Sequence, residues 1–261
     1  MNFFILTIFP ELFDSFWEHG IIYRAIKSHI INPTIINIRD FAEGRHKAVD
    51  DRPFGGGCGM VMKPESLAAA IKKVKKQAPE TKTVFLSPQG RILNQQMAAE
   101  LSICDSLLMI CGRYEGIDDR IYQEYVDFEV SIGDYVITGG ELAAMVVIDA
   151  VTRQIPGTLG NADSAGQDSF SDALLKHAQF TRPREFEGQN VPEVLLSGNH
   201  QAIEKWRVET ALIRTFLKRP DLLAQKQLSA SEIFILKKWC LELEKITRNQ
   251  SLSGSDPLPG C

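Results

Sequence analysis

The stretch Ser131-Ile132-Gly133-Asp134-Tyr135-Val136-Ile137-Thr138-Gly139-Gly140 is one of three glycine-dense segments that carry most of the information in this sequence, and the other two precede it. They are Leu86-Ser87-Pro88-Gln89-Gly90-Arg91 and Cys111-Gly112-Arg113-Tyr114-Glu115-Gly116. Each follows an apolar run that is typical of a strand. Three such loops at one edge of a sheet would present main-chain N–H and C=O groups to a ligand, with no Cβ in the way. The sequence therefore predicts a binding site built largely from main chain.

Short apolar runs alternate with helical patterns in the part of the chain that surrounds these loops. The predicted strands are Phe3–Ile8, Thr34–Ile38, Thr83–Leu86, Leu107–Cys111 and Val126–Val130. The predicted helices are Glu11–Glu18, Ile22–His29, Glu65–Lys76, Gln95–Ile103 and Asp119–Tyr125. This alternation predicts an α/β fold with a mostly parallel sheet that is covered on both faces.

A further helical stretch, Glu141–Arg153, is apolar on almost every side. Its polar members are Glu141, Asp149, Thr152 and Arg153, which we expect to meet water. A helix with no polar face must be buried on most sides. The sequence leaves open whether it lies deep in the core or at a subunit interface.

The C-terminal part of the chain has a different pattern. Residues 157–170 are rich in Gly, Ser, Asp and Asn, which predicts a mobile linker. Helical patterns follow at Gln201–Lys218 and Glu232–Ile246, and Ser229 and Glu232 have the spacing of a capping box at the start of the second. We therefore predict an α/β domain over residues 1–158, a flexible linker over 159–170, a helical domain over 171–248 and a disordered tail over 249–261.

The overall charge does not indicate a nucleic-acid-binding protein, since the net charge is -4 and the pI is about 5.8. An RNA-binding surface would have to gather basic groups locally. Candidates are Arg45, His46, Lys47, Arg52, Arg182, Arg184, Lys205, Arg207, Arg214, Lys218 and Arg219. Acidic residues are interleaved with these, so charge alone favours ordinary solvated surface groups.

Composition and residue spacing indicate the cellular compartment and whether the protein binds a membrane or a structural metal. The apolar run at Phe3–Phe9 is too short to span a bilayer and lacks a basic flank, so it indicates a buried strand and no membrane association. Five cysteines without regular spacing indicate free thiols in a reducing cytoplasm. Cys and His residues with zinc-like spacing are absent from the sequence, so we expect no structural metal.

A glycine-rich segment, Asp51–Met60, contains the pattern G-x-G-x-G. Pro53 precedes the glycines where a nucleotide-binding site would have a strand, and the Lys-Ser/Thr of a phosphate-binding loop is missing. The segment is suited to contact with an RNA backbone, because it is flexible and has cations beside it. A plain surface turn explains its composition equally well.

Taken together, in this order and at these separations, the three loops closely resemble those of the bacterial tRNA (guanine-N(1)-)-methyltransferases, which belong to the SPOUT class. The resemblance runs from Phe9-Pro10-Glu11 to about Leu223 and includes Asp149–Gly157, Asp168-Ser169-Phe170 and Thr181-Arg182-Pro183. It implies a methyltransferase that uses S-adenosyl-L-methionine and modifies ring nitrogen 1 of the guanosine just 3′ of the anticodon, tRNA position 37. It also implies a SPOUT-type sheet with a deep trefoil knot, a small C-terminal helical domain, and a homodimer whose active site lies at the subunit interface.

The resemblance assigns donor binding mainly to main chain, with Tyr135 and Ile137 as apolar walls. The donor-binding residues it implies are Phe85, Leu86, Ser87, Pro88, Gln89, Gly112, Glu115, Gly116, Ile132, Gly133, Asp134, Tyr135, Val136, Ile137, Gly139 and Gly140. On this basis, a bulky residue at Gly112 or Gly140 is expected to abolish donor binding while leaving the fold largely intact. Glu115 offsets the sulfonium charge, holds a magnesium ion, or forms a surface ion pair.

Methyl transfer to this nitrogen requires a base, because the nitrogen carries a proton in neutral guanine, and a donor that stabilises negative charge on the 6-oxygen. Asp168 and Arg153 match the family motif in these two roles. Residue type and position alone favour plainer roles, with Asp168 as a helix N-cap and Arg153 as a cation at a helix C-terminus. Two alternatives stay open: a SPOUT enzyme that acts on another RNA atom, and an RNA-binding protein without catalytic activity.

Overall fold

The computed structural model describes residues 1–160, 168–170 and 172–253. The chain divides into two compact units, Met1–Ala165 and Gly166–Cys261. Its strands are β1 (Asn2–Thr7), β2 (Asn32–Asn37), β3 (Asp50–Asp51), β4 (Val61–Met62), β5 (Lys82–Ile92), β6 (Ser106–Cys111), β7 (Phe128–Ser131), β8 (Glu185–Phe186) and β9 (Gln189–Asn190). Its α-helices are α1 (Asp14–Trp17), α2 (Gly20–Lys27), α3 (Pro64–Gln77), α4 (Gln95–Ser102), α5 (Asp119–Tyr125), α6 (Gly140–Thr152), α7 (Glu193–Leu196), α8 (His200–Lys218), α9 (Pro220–Gln225) and α10 (Ala230–Ser253). Short 3₁₀ helices cover Pro10–Phe13 and Ile38–Phe41.

The first unit is built on a parallel sheet of five strands in the order β2-β1-β6-β5-β7. The central strand β6 is buried along its whole length. Helices α2, α4 and α6 contribute to the hydrophobic core on one face, and α3 and α5 contribute to the core on the other. The predicted α/β fold, with a sheet covered on both faces, is confirmed. The trefoil knot stays a prediction.

Strand β5 is longer than the sequence predicts. We expected it to end at Leu86, before a turn at Ser87–Gly90. Instead, Leu86 and Arg91 both face Val130 of β7, so the intervening residues bulge out and the chain rejoins the same neighbour. The bulge closes tightly at Gly90, where a Cβ would lie 2.5 Å from the main chain of Glu129 and Val130. The loop is therefore held at both ends by the sheet.

Helix α6 differs in part from what we predicted for the apolar stretch Glu141–Arg153. Its core-facing side is buried, as expected, but Glu141 and Thr152 are also buried, at 1% and 0% exposure. The expectation that these two polar residues meet water is wrong. Conversely, Leu142 and Val146 are 57% and 45% exposed in the single chain. Helix α6 therefore has one face in the core and an apolar strip outside it.

The second unit is mainly helical, as predicted, and its elements α8 and α10 correspond to the two predicted helices. The capping box at the start of α10 is confirmed: Ser229 Oγ accepts from the N–H of Glu232 at 3.3 Å, and Glu232 Oε2 accepts from the N–H of Ser229 at 2.7 Å. Helix α10 includes residues 249–253, which the sequence analysis placed in the tail. The rest of the predicted tail, and residues 161–167 of the predicted linker, lie outside the described residues.

Candidate active site

A cavity of about 450 Å³ lies where β5, β6 and β7 give way to the three loops. Because parallel strands place their carboxyl ends at one edge of a sheet, the loops that follow them meet there. The cavity wall includes residues 85–89 from the first loop, 112–116 from the second and most of 132–140 from the third. The structure thus brings together the three segments that the sequence analysis singled out.

Of the predicted donor-binding residues, those that line this cavity are Phe85, Leu86, Ser87, Pro88, Gln89, Gly112, Glu115, Gly116, Ile132, Gly133, Tyr135, Val136, Ile137, Gly139 and Gly140. Asp134 is exposed and is not part of the wall. Five of these residues are glycines, Gly112, Gly116, Gly133, Gly139 and Gly140, which offer only main-chain atoms to a ligand. A planar, polar ligand could hydrogen-bond to this surface.

Sequence reasoning missed several lining residues. Ile117 lies just before α5, Asp119 and Tyr122 belong to α5, and Ala143 belongs to the first turn of α6. Asp119 and Tyr122 share one helix face because they are three residues apart. That spacing was visible in the sequence, but only the fold shows that this face borders the cavity.

The second and third loops are joined by main-chain contacts. The N–H of Gly140 donates to the carbonyl of Gly112 at 2.9 Å, and Arg113 pairs with Gly139 in an antiparallel bridge. A Cβ on Gly140 would lie 2.7 Å from Cα of Cys111, and one on Gly139 would overlap the Arg113 side chain. These two glycines are therefore required by packing between loops. The expectation that a bulky residue at Gly140 leaves the fold intact is wrong, because its Cβ would point into the main chain of β6.

The glycine-rich segment Asp51–Met60 is attached to the edge of the cavity. The N–H of Glu115 donates to the carbonyl of Met60 at 3.0 Å, and the N–H of Met62 donates to the carbonyl of Gly116 at 2.9 Å. The Glu115 side chain lies so close to Gly59 that a Cβ there would overlap it. Phe54, within this segment, is fully exposed. The segment is thus fixed to the second loop at its end.

A buried cysteine ends strand β6, directly before the second loop. Cys111 is fully buried, and burial raises the pKa of its thiol well above its usual value. The nearby carboxylate of Glu141 raises this pKa further, and Arg113 opposes the effect. The thiol is therefore protonated at neutral pH and is unsuited to act as a nucleophile.

At the edge of the cavity, Asp118 caps helix α5 by accepting from the N–H of Arg120 at 3.0 Å. Hydrogen bonds from the Arg120 guanidinium lower the pKa of the Asp118 carboxyl. The capping group is therefore ionised at neutral pH, where its charge favours the N-terminus of a helix.

A sequence model of the family described as tRNA (Guanine-1)-methyltransferase TrmD matches residues 1–225 of the chain. The chain belongs to this family. The match ends just after Leu223, where the resemblance seen in the sequence also ends, so the whole of α10 lies beyond it.

Proteins named tRNA (guanine-N(1)-)-methyltransferase resemble the chain over nearly its whole length. The protein from Desulfatibacillum aliphaticivorans is 52% identical over 99% of this chain and 98% of its own. That from Geotalea uraniireducens is 50% identical over 94% of this chain and 98% of its own. That from Staphylococcus carnosus is 51% identical over 92% of this chain and 97% of its own.

The two predicted catalytic residues belong to different units. Arg153 directly follows α6 in the first unit, where it is half-buried. Asp168 lies in the second unit, and its Oδ1 is 2.9 Å from Nζ of Lys176. Ser169, next to Asp168, accepts through its hydroxyl from the N–H of Lys176 at 3.0 Å. Asp168 is therefore held in a segment that folds back on itself.

Within the described residues, no group of three or more His, Cys, Asp or Glu side chains could hold a metal ion. The helices of that part of the chain also include none that is long and apolar enough to cross a membrane. The four cysteines that the structure describes are free: Cys58, Cys104, Cys111 and Cys240.

Proposed function

We propose that this member of the TrmD family transfers a methyl group from S-adenosyl-L-methionine to ring nitrogen 1 of the guanosine just 3′ of the anticodon of tRNA. The observation that carries the proposal is the cavity formed by the three glycine loops, in a chain whose family is named for methylation of guanine in tRNA. The volume of the cavity, about 450 Å³, is in the range of small-molecule sites.

The donor supplies a methyl group bound to a positively charged sulfur. The chain's own residues suit such a ligand in two ways. Main-chain groups of the loops offer hydrogen bonds, and Tyr135, Val136 and Ile137 offer apolar surface. The carboxylates of Glu115, Asp119 and Glu129 also line the cavity, and their negative charge favours a cationic ligand.

At the acceptor, Asp168 accepts the proton from ring nitrogen 1, and Arg153 stabilises the negative charge that develops on the 6-oxygen. A carboxylate is a competent base for this nitrogen when it lies within hydrogen-bonding distance. A guanidinium directed at the developing charge stabilises the transition state more than the ground state. In the described structure the ammonium of Lys176 lies 2.9 Å from Oδ1 of Asp168.

The proposal includes a homodimer with the active site at the subunit interface. Leu142 and Val146 support this arrangement, because they lie one turn apart on α6 and are exposed in the single chain. An exposed apolar strip on a helix packed into the core is typical of an interaction surface. A Leu142→Glu variant should sediment as a monomer in analytical ultracentrifugation, and a wild-type chain that is itself monomeric at micromolar concentration would contradict the arrangement.

Glu115 is the residue that we propose as a ligand for any magnesium ion at this site. Magnesium ions in proteins are commonly held by one or two carboxylates, water and substrate phosphate. Glu115 supplies one carboxylate at the cavity edge, so an ion there would depend on water and on the RNA.

We place the protein in the cytoplasm, a choice supported by the free cysteines among the described residues.

The test is methyl transfer from labelled S-adenosyl-L-methionine to two unmodified tRNA transcripts that differ at one nucleotide. One carries guanine just 3′ of the anticodon, and the other carries adenine there. The proposal predicts label on the first transcript alone. Label on both would place the target elsewhere in the RNA, and label on neither would favour an RNA-binding protein without catalytic activity.

A further inference from the structure

A buried carboxylate contacts a residue of the cavity wall, and the proposed chemistry does not use it. Glu141 is 1% exposed, and both of its oxygens have partners. Oε1 accepts from the Thr7 hydroxyl at 2.7 Å, and Oε2 accepts from Nε of Arg113 at 2.9 Å. Thr7 is itself fixed at the end of β1, because its Oγ1 accepts from the N–H of Phe9 at 2.9 Å.

Arg113 extends this cluster to both neighbouring loops. Its main chain belongs to the second loop, while NH1 donates to the carbonyl of Thr138 in the third loop at 3.2 Å. Its guanidinium also lies 4.6 Å from the centre of the Phe9 ring. Gly139 has no Cβ where the Arg113 side chain passes, so the third loop leaves room for this contact.

Stability alone is a weak reason for such a cluster. Burying a carboxylate is costly unless it is fully paired, and an apolar replacement of similar size is often as stable as a buried ion pair. An ion pair does, however, fix the relative position of the groups that carry it. Here those groups are the start of α6, the end of β1 and two walls of the cavity.

We infer that Glu141 and Arg113 are positioning residues of the donor site. With Thr7 they form a clamp that sets the spacing between the second and third loops. This inference rests on the proposed function, because the ligand that needs this spacing is the methyl donor. Glu141 does not line the cavity and acts through Arg113. Loss of the clamp should therefore weaken donor binding and leave the binding of tRNA alone nearly unchanged.

The experiment compares Arg113→Lys and Glu141→Gln with the wild-type protein. Lysine keeps the charge but lacks the planar guanidinium, which donates both to the carboxylate of Glu141 and to the carbonyl of Thr138. Glutamine keeps the shape of Glu141 and loses its charge. We measure the Kd for S-adenosyl-L-methionine by calorimetry, the Kd for tRNA without donor, and the Tm. Both variants should bind the donor at least about tenfold more weakly, a difference of about 1.4 kcal/mol, with the Kd for tRNA changed by less than about twofold.

The chain offers a matched control in its second unit. Glu232 is also a buried carboxylate, 6% exposed, and its Oε1 lies 3.5 Å from Nζ of Lys226. Glu232→Gln removes a buried charge of the same kind within a different unit. It should lower the Tm without changing the Kd for the donor. A drop in donor affinity that merely follows Tm across all three variants would overturn the clamp.

The outcomes separate this inference from the proposed function. A wild-type protein that does not bind S-adenosyl-L-methionine would refute the proposed function itself. A wild-type protein that binds it, with an unchanged Kd in folded Arg113→Lys, would refute the clamp alone. If Glu141→Gln does not fold, Arg113→Lys still decides, because the hydrogen bond to the carbonyl of Thr138 is lost while the cation remains.

Discussion

The carboxylate of Asp168 and the ammonium of Lys176 form an ion pair, with 2.9 Å between Oδ1 and Nζ. Both side chains are about one-third exposed. Ion pairs of this exposure contribute roughly 0–1 kcal/mol to stability. The pair is thus a weak contributor to the fold, so its two members can be replaced one at a time to separate a structural role from a chemical one.

Asp168→Asn should lower kcat for methyl transfer by about 10²–10⁴-fold, because general-base catalysis contributes about that much. Lys176→Gln should lower it by less than about tenfold, although it breaks the same ion pair. Both variants should keep the wild-type Tm within a few degrees and the wild-type Kd for the donor. Single-turnover rates with saturating donor and tRNA are the measurement.

Asp172→Asn is the matched control for this comparison. Asp172 is an exposed carboxylate in the same segment, and its Oδ1 lies 2.7 Å from Nζ of Lys226. Its replacement should leave the rate nearly unchanged. If Asp168→Asn and Lys176→Gln lost activity equally, Asp168 would act through the ion pair and not as the base.

Tyr135 provides a test of the donor cavity that leaves the core untouched. Its side chain is 55% exposed, packs over Gly133 and donates its hydroxyl to the carbonyl of Ile132 at 3.1 Å. Tyr135→Ala should raise the Kd for S-adenosyl-L-methionine about tenfold, since a lost apolar wall is worth about 1–2 kcal/mol. Tyr23→Ala, at an exposed tyrosine of α2, should leave that Kd unchanged. Equal affinities in the two variants would remove Tyr135 from the site.

The close packing around Gly140 predicts that a larger residue there destabilises the fold even when no ligand is bound. Because a Cβ there would lie 2.7 Å from Cα of Cys111, Gly140→Ala must move α6 or β6. Overpacking of this kind costs about 1–3 kcal/mol, measurable by urea unfolding without any ligand. Gly160→Ala is the control, because no described atom outside Gly160 and its two chain neighbours lies within 4 Å of its Cβ position. Wild-type stability in Gly140→Ala would show that the two elements adjust freely.

The raised pKa of Cys111 predicts a thiol that does not react in the folded protein. The thiolate is the reactive form, so a higher pKa leaves less of it at any given pH. At pH 8, iodoacetamide should modify the exposed Cys58 and spare the buried Cys111 until urea unfolds the chain. Peptide mass spectrometry measures both sites in one sample. Rapid modification of Cys111 without urea would mean that the core around the end of β6 opens in solution.

Local sequence was sufficient for the elements whose signals are local. Asp119–Tyr125 was predicted with its observed limits, and the capping box at Ser229 marks the start of α10. The apolar run Leu107–Cys111 identified the central strand, because a parallel strand buried on both faces is apolar throughout. The three loops followed from their glycine content and from the family resemblance.

What the sequence did not predict depends on partners that are distant along the chain. Glu141 was expected to meet water, but its partners Arg113 and Thr7 are 28 and 134 residues away. No local pattern indicates such a pairing. The packing role of Gly140 likewise depends on the approach of Cys111 across the sheet edge. Tyr122 was missed because the face that α5 turns to the cavity depends on the position of the whole helix.

The identity of the methylated nucleoside shows directly which RNA atom receives the methyl group. The transcript with guanine just 3′ of the anticodon is incubated with wild-type protein and donor, digested to nucleosides and analysed by mass spectrometry against standards. We expect 1-methylguanosine as the product, and its loss with Asp168→Asn. A product methylated on a ribose 2′-oxygen or on another base would refute methylation of ring nitrogen 1.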